Sequence, residues 1–172
     1  MGTDRIAGAS YDDYSRIPAF RFTVTIGKDE IGMHKVDGLE NTTEVAEYRE
    51  GNEVEVFHKM PGLTKTGNVT MERALMPKSA GSQATGWDYF KNWRKLVIDV
   101  ESGNSEEGFR RKMKVCAYDR PVTFPYVNST ASATWSCLGC WPVKQQFSNL
   151  DATANEIAKE TIELAVEHII YT

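Results

Sequence analysis

The sequence predicts a mainly β chain: a barrel or sandwich with one α-helix, an extended N-terminal arm and a long central loop. Three observations lead there. Apolar and polar residues alternate with period two in segment after segment. Only one stretch, about residues 85–97, carries helical spacing without a competing strand pattern. Turn-forming Gly, Pro, Asn and Asp punctuate the chain at short intervals, as many short strands require.

Residues 1–17 are polar and irregular and read as an arm, with residues 18–172 as one domain. A length of 172 residues fits one domain at roughly 150 residues each. After Pro18, the residues Phe20, Phe22, Val24 and Ile26 alternate with Arg21, Thr23 and Thr25, a strand with one buried face. Gly27-Lys28-Asp29 turns the chain. A second strand is expected from Ile31 through Val36, ending at Asp37-Gly38. The β-branched stretch Thr42–Tyr48 predicts a third. Past Glu50-Gly51-Asn52, Val54 and Val56 predict a hairpin partner for it. The segment from His58 to Asn68, broken by Pro61, Gly62 and Gly67, is expected to be a loop or a distorted edge. Val69, Met71, Arg73 and Leu75 predict another strand.

The helix is expected from Thr85, a suitable N-cap, with Asp88 at the positive end of its dipole. Trp87, Phe90, Trp93 and Leu96 or Val97 mark its packing face. Glu101–Gly108 reads as an acidic loop and Lys112–Tyr118 as a strand. Residues 122–140 predict a hairpin with a polar tip at Asn128-Ser129-Thr130, and Trp141–Phe147 is strand-like apart from Pro142. The last segment fits two patterns. Ile157, Thr161, Leu164 and His168 make a helical stripe, whereas Ile162, Leu164, Val166 and His168 alternate as in a strand.

Composition narrows the function. A hydrophobic fraction of 41% supports a real core, and 20 basic against 24 acidic residues, net -4, argue against a basic nucleic-acid module. No apolar run approaches the roughly 18 residues of a membrane-spanning helix. The polar start, Met1-Gly2-Thr3-Asp4-Arg5-Ile6, predicts no secretory leader or myristoylation. Three cysteines, an odd number, imply no disulfide framework and fit a reducing compartment.

The candidate chemistry is thin. Cys137-Leu138-Gly139-Cys140 is a CxxC, but zinc needs four ligands, and only Cys116 and three dispersed histidines remain. The expectation is two small structural side chains without a metal. His34, His58 and His168 lie far apart, and no nucleophile motif accompanies them. Gly62–Gly67 has the outer glycines of a phosphate loop, yet Asn68-Val69 stand where Lys and Ser or Thr are required, and a strand follows. Arg110, Arg111, Lys112 and Lys114 form a basic cluster beside Glu106 and Glu107, expected to be a solvated strand face or a subunit salt-bridge contact. No catalytic residue, metal or cofactor is therefore assigned. Unblocked strand edges invite pairing with another chain, which favours assembly over catalysis.

In its order of motifs the sequence resembles the inner tube proteins of contractile phage tails and phage-tail-like injection systems. The resembling stretches are Phe20-Arg21-Phe22-Thr23-Val24, Val36-Asp37-Gly38-Leu39, Glu47–Asn52 and His58–Lys65. They continue with Asn68–Arg73 leading to the Trp87 helix, Trp141-Pro142-Val143-Lys144, and Asn155–Ala165. Residues 100–140 depart from the family pattern, with a longer acidic loop and a longer hairpin holding both CxxC cysteines.

The resemblance implies a β-barrel tube domain over 18–172 whose last segment is a strand. It implies hexameric rings that stack head to tail inside a sheath and conduct DNA or effector cargo. The implied partners are further copies of the chain, the sheath, the baseplate hub, the tail terminator and the tape-measure protein. The implied location is a virion tail assembled in the host cytoplasm, or a cytoplasmic injection-system particle. A type VI secretion-like tube or effector carrier is the alternative. Within this frame residues 46–68 are expected to make the ring-to-ring contact, through Tyr48, Arg49, Glu50, His58, Lys59, Met60, Pro61, Gly62 and Leu63. Trp87, Phe90 and Trp93 are expected to pack the helix.

Overall fold

The computed structural model describes residues 16–48, 58–76, 88–101, 108–119, 131–153 and 155–172. In chain order the elements are β1 (Phe22–Ile26), β2 (Asp29–Ile31), β3 (Lys35–Asp37), β4 (Asn41–Tyr48), β5 (His58–Thr66) and β6 (Val69–Ala74). Then follow α1 (Asp88–Glu101), β7 (Arg111–Ala117), β8 (Ala133–Phe147), β9 (Lys159–Ala165) and β10 (His168–Tyr171). The fold is thus mainly β with one helix among the described residues.

One antiparallel sheet runs in the order β2-β1-β7-β8-β9-β6-β3, with β10 also on β8. Its two outermost strands, β2 and β3, are neighbours in sequence, three residues apart. That short link brings the two ends of the curled sheet close together, and the His34 amide within it donates to the Glu72 carbonyl of β6 at 2.7 Å. The period-two pattern supplies the inner lining. Val24 and Ile26 of β1, Val69 and Met71 of β6, Met113 and Val115 of β7, and Ile162 and Leu164 of β9 are all buried.

Strand β8 makes the curl possible. At 15 residues it spans about 50 Å, pairing with β7 through its first half and with β9 through its second. Two bulges bend it. Arg111 lies opposite Cys140 while Met113 lies opposite Cys137, so β8 carries an extra residue there, and Gly139 takes φ 65°. The second shift falls between Pro142 and Lys144. A bulge leaves a residue outside the ladder and increases local twist, which also suits a proline that has no N–H to contribute.

Helix α1 seals the barrel. Tyr89, Phe90, Trp93 and Val97 are buried on one face, at the three- and four-residue spacing of neighbouring turns. The Trp93 indole donates to the Phe109 carbonyl at 2.6 Å, the Tyr89 hydroxyl to Ile26 at 3.3 Å, and Arg94 to Pro142 at 2.9 Å. These bonds tie the helix to β1, β8 and the segment leading into β7.

Several expectations need correction. The helix continues a turn beyond 97, to Glu101, because no breaker occurs before Ser102-Gly103-Asn104; residues 85–87 lie outside the described residues. Of the two alternatives for the stretch from 58 to 66, the distorted edge strand holds and the loop does not. It is paired with β4 only, and the register shift between Thr43 and Val45 accommodates Pro61-Gly62. The expected strand partner at 53–57 lies outside the described residues. The single strand from 31 to 36 is two short strands, parted at Gly32-Met33-His34. The final segment is β9 and β10, which follow one another along β8 with a break at Val166-Glu167. Ala165 there faces Trp141 and His168 faces Leu138. The expected hairpin tip at 128–130 lies outside the described residues.

Candidate assembly surface

Strands β4 and β5 form a two-stranded sheet of their own. It is rooted where β6 begins. The Asn41 side-chain amide donates to the Ile169 carbonyl at 3.1 Å, the Thr66 hydroxyl lies 3.1 Å from Asn41 Oδ1, and the Gly67 amide donates to Glu40 at 3.2 Å. Beyond that root the ribbon makes no extensive contact with another described strand or helix.

Its side chains satisfy one another across the ladder. Tyr48 and His58 face each other with rings stacked at 5.3 Å. Lys59 pairs with Glu47 at 3.3 Å and Lys65 with Glu44, and the Thr43 and Thr64 hydroxyls meet at 2.9 Å. The charged groups are therefore balanced within the ribbon. Its apolar groups are not covered: Leu63 is 72% exposed, Val45 60% and Met60 51%. Exposed ion pairs contribute at most about 1 kcal/mol each, and a lone two-stranded hairpin is marginal in water. A ribbon held at its root, with apolar side chains facing water, has the chemistry of an interaction surface. Of the residues assigned to the ring-to-ring contact, Tyr48, His58, Lys59, Met60, Pro61, Gly62 and Leu63 lie on this ribbon; Arg49 and Glu50 lie outside the described residues.

The other motifs sit elsewhere. Phe90 and Trp93 are buried in the core, and Trp87 lies outside the described residues. Gly62–Gly67 runs along β5 into β6, strand into strand. His34 lies between β2 and β3, His58 on β5 and His168 on β10. Arg111 lies over the rings of Tyr89 and Trp93, at 5.2 and 4.9 Å, and Arg110 pairs with Glu167 at 2.8 Å, while Lys112 and Lys114 are exposed. Two members of the basic cluster thus serve the subunit's own packing.

Residues three apart on a regular strand point to opposite faces. The Gly139 bulge turns Cys137 and Cys140 to the same one, and both are fully buried. Their thiols hydrogen-bond each other; that bond and then burial push the Cys140 thiol up. Among the described residues no three His, Cys, Asp or Glu side chains are grouped to hold a metal.

Sequence reasoning missed a buried pair of charged residues. Arg73 and Glu160 are directly opposed on β6 and β9, Nε to Oε2 2.6 Å apart. Gln145 donates to the other carboxylate oxygen at 2.6 Å, and the guanidinium lies 4.6 Å from the centre of the Phe90 ring. Arg73 occupying an inward position of an otherwise apolar alternation was the available signal.

A curled antiparallel sheet sealed by a helix, with a projecting ribbon whose apolar side chains are uncovered, defines a β-rich subunit with surfaces suited to association. The chain belongs to the T4-like virus tail tube protein gp19 family, whose model matches residues 18–170. No curated protein sequence matches it. The fold is similar to a chain in the PVC sheath-tube complex of an extracellular contractile injection system in its extended state. There the TM-score is 0.69 at 21% identity, covering 96% of this chain and 99% of that one. It is equally similar to a chain in the tube-terminating cap of the anti-feeding prophage, with TM-score 0.70 at 22% identity over 96% and 93%. An Hcp protein crystal structure is more distant, at TM-score 0.50 and 10% identity over 87% and 91%.

Proposed function

We propose that this protein is the structural subunit of the inner tube of a contractile tail or injection particle. Six copies form a ring, rings stack head to tail, and the bore conducts DNA or effector cargo. The observation that carries this reading is the family match over residues 18–170. The protein performs no catalysis, and residues 18–172 act as one tube domain behind an arm of residues 1–17. The β4–β5 ribbon makes the ring-to-ring contact, because its apolar side chains have no cover within the subunit. Heterologous contacts close into rings or continue as open filaments according to the rotation they impose, and a tube uses both.

The partners are a sheath around the tube and a terminator and baseplate at its ends, as in the similar injection-system assemblies. A tape-measure protein and the cargo complete the set, and assembly takes place in a bacterial cytoplasm. Six copies at net -4 carry about -24 per ring, a charge that resists sticking of DNA or acidic cargo where it faces the bore. Negative-stain microscopy of the purified protein, alone and with its sheath, tests the proposal. Sixfold rings or tubes are expected; monomers only, at high concentration and with sheath present, would overturn it.

A further inference from the structure

The ribbon leaves the sheet where β6 begins, at Val69, which faces Leu164 of β9. At the other end of the same two strands Ala74 faces Lys159, and the Leu75 amide donates to Ala158. The two ends are about 17 Å apart along β6. That second end carries its own uncovered apolar group, on the connection from β8 to β9 and beside it. Leu150 is 81% exposed and Ile157 74%, with Phe147 and Met76 also exposed. Residues 148–152 and 156–158 line a hollow of about 400 Å³ there.

We infer that this hollow, with Leu150 and Ile157 at its rim, is the surface of a second copy that receives the β4–β5 ribbon. The inference rests on the tube reading and names the partner face of its ring-to-ring contact. Two uncovered apolar surfaces at opposite ends of one sheet meet when identical copies stack in the same direction, and the contact then repeats without closing. Charge disfavours the symmetric contact of loop with loop. The loop carries Asp151 and Glu156, so loop against loop would place like charges together. The described ribbon residues carry Glu44 and Glu47 against Lys59 and Lys65, a neutral face for an acidic loop. Leu63, the most exposed apolar side chain of the ribbon, is the group that enters the hollow.

The test uses the purified full-length chain without sheath. Leu63→Cys/Leu150→Cys and Leu63→Cys/Ile157→Cys, assembled and oxidised, are expected to give a ladder of covalent multimers on a non-reducing gel. The corresponding single variants, mixed, stop at dimers. Leu63→Cys alone giving abundant dimers would show ribbon meeting ribbon and overturn the inference. In parallel, Leu150→Asp/Ile157→Asp is expected to keep the wild-type melting temperature and lose tubes. Wild-type tube length in that variant would overturn the inference while leaving the tube reading intact. Absence of rings and tubes in the wild-type protein would overturn both.

Discussion

Arg73 and Glu160, 87 residues apart in sequence, form an ion pair 2.6 Å long inside the barrel, where their side chains are 2% and 0% exposed. Gln145 takes the second carboxylate oxygen and Phe90 lies against the guanidinium, so the pair joins β6, β8, β9 and α1. Removing one member of such a pair leaves a buried charge without its counterion, which costs about 3–5 kcal/mol, whereas replacing both by apolar groups is often neutral. Glu160→Gln and Arg73→Met are each expected to lower the unfolding free energy by that amount. The double variant Arg73→Met/Glu160→Leu is expected to recover most of it. Urea unfolding of the set gives the coupling directly; additive losses would show that the two charges do not depend on each other.

Gly139 sets the first bulge of β8. Its φ is 65°, and a Cβ placed there would stand 2.4 Å from Glu167 Oε2. Gly139→Ala therefore meets both backbone strain and a clash, an expected loss of about 1–3 kcal/mol. Adding Glu167→Ala removes the clash and leaves the strain, so it restores only part of the loss, read as a partial return of the melting temperature. Full return would assign the whole effect to the carboxylate.

The buried thiol pair makes stability depend on alkaline pH. In the unfolded chain both cysteines ionise above their ordinary range near 8.5. In the fold, Cys140 holds its proton because of its bond to Cys137 and its burial. The same bond pushes the Cys137 thiol down, so the fold gives up that proton early and keeps only the one on Cys140. Above the ordinary range the unfolded state has lost both and binds fewer protons than the native state, so stability falls there as pH rises. The loss is about 1.4 kcal/mol per pH unit above roughly 8.5 for the one retained proton. Denaturant unfolding of wild type and Cys140→Ala at pH 7.5 and 9.5 checks this: the variant is expected to lose less over that interval. Identical pH profiles would refute it. Elemental analysis is expected to find no stoichiometric zinc; zinc that disappears in Cys137→Ser would overturn the structural role of the pair.

Met60→Asp/Leu63→Asp separates assembly from folding. Both positions face water in the subunit, so thermal unfolding is expected to stay within about 0.5 kcal/mol of wild type. Tube assembly is expected to fail, because the substitutions bury unpaired charge only in the contact. Wild-type tube length in the double variant would remove the ribbon from the ring-to-ring contact. Global unfolding would show that these side chains belong to the subunit's own packing.

What the sequence determined by itself is local. Period-two alternation marked β1, β6 and β7, and the β-branched run from Thr42 marked β4. The spacing of Phe90 and Trp93 placed the helix, since each of these signals depends only on which face of a single element is apolar. The order of motifs also identified the family. What the tertiary structure decided depends on partners distant in the chain. Pro61-Gly62 reads as a break until β4 supplies a ladder with a register shift to hold it. The segment from Asn155 to Ile170 fits a helix and a strand by pattern alone; the resemblance implies a strand, and the structure splits it into two that pair with β8. Cys137 and Cys140 are a strand's opposite faces until the Gly139 bulge turns them together. Arg73 reads as one more alternating position until β9 brings Glu160 opposite it. Periodicity records the environment of one strand; register, bulges and ion pairs record which strand lies beside it, and only the assembled sheet specifies that.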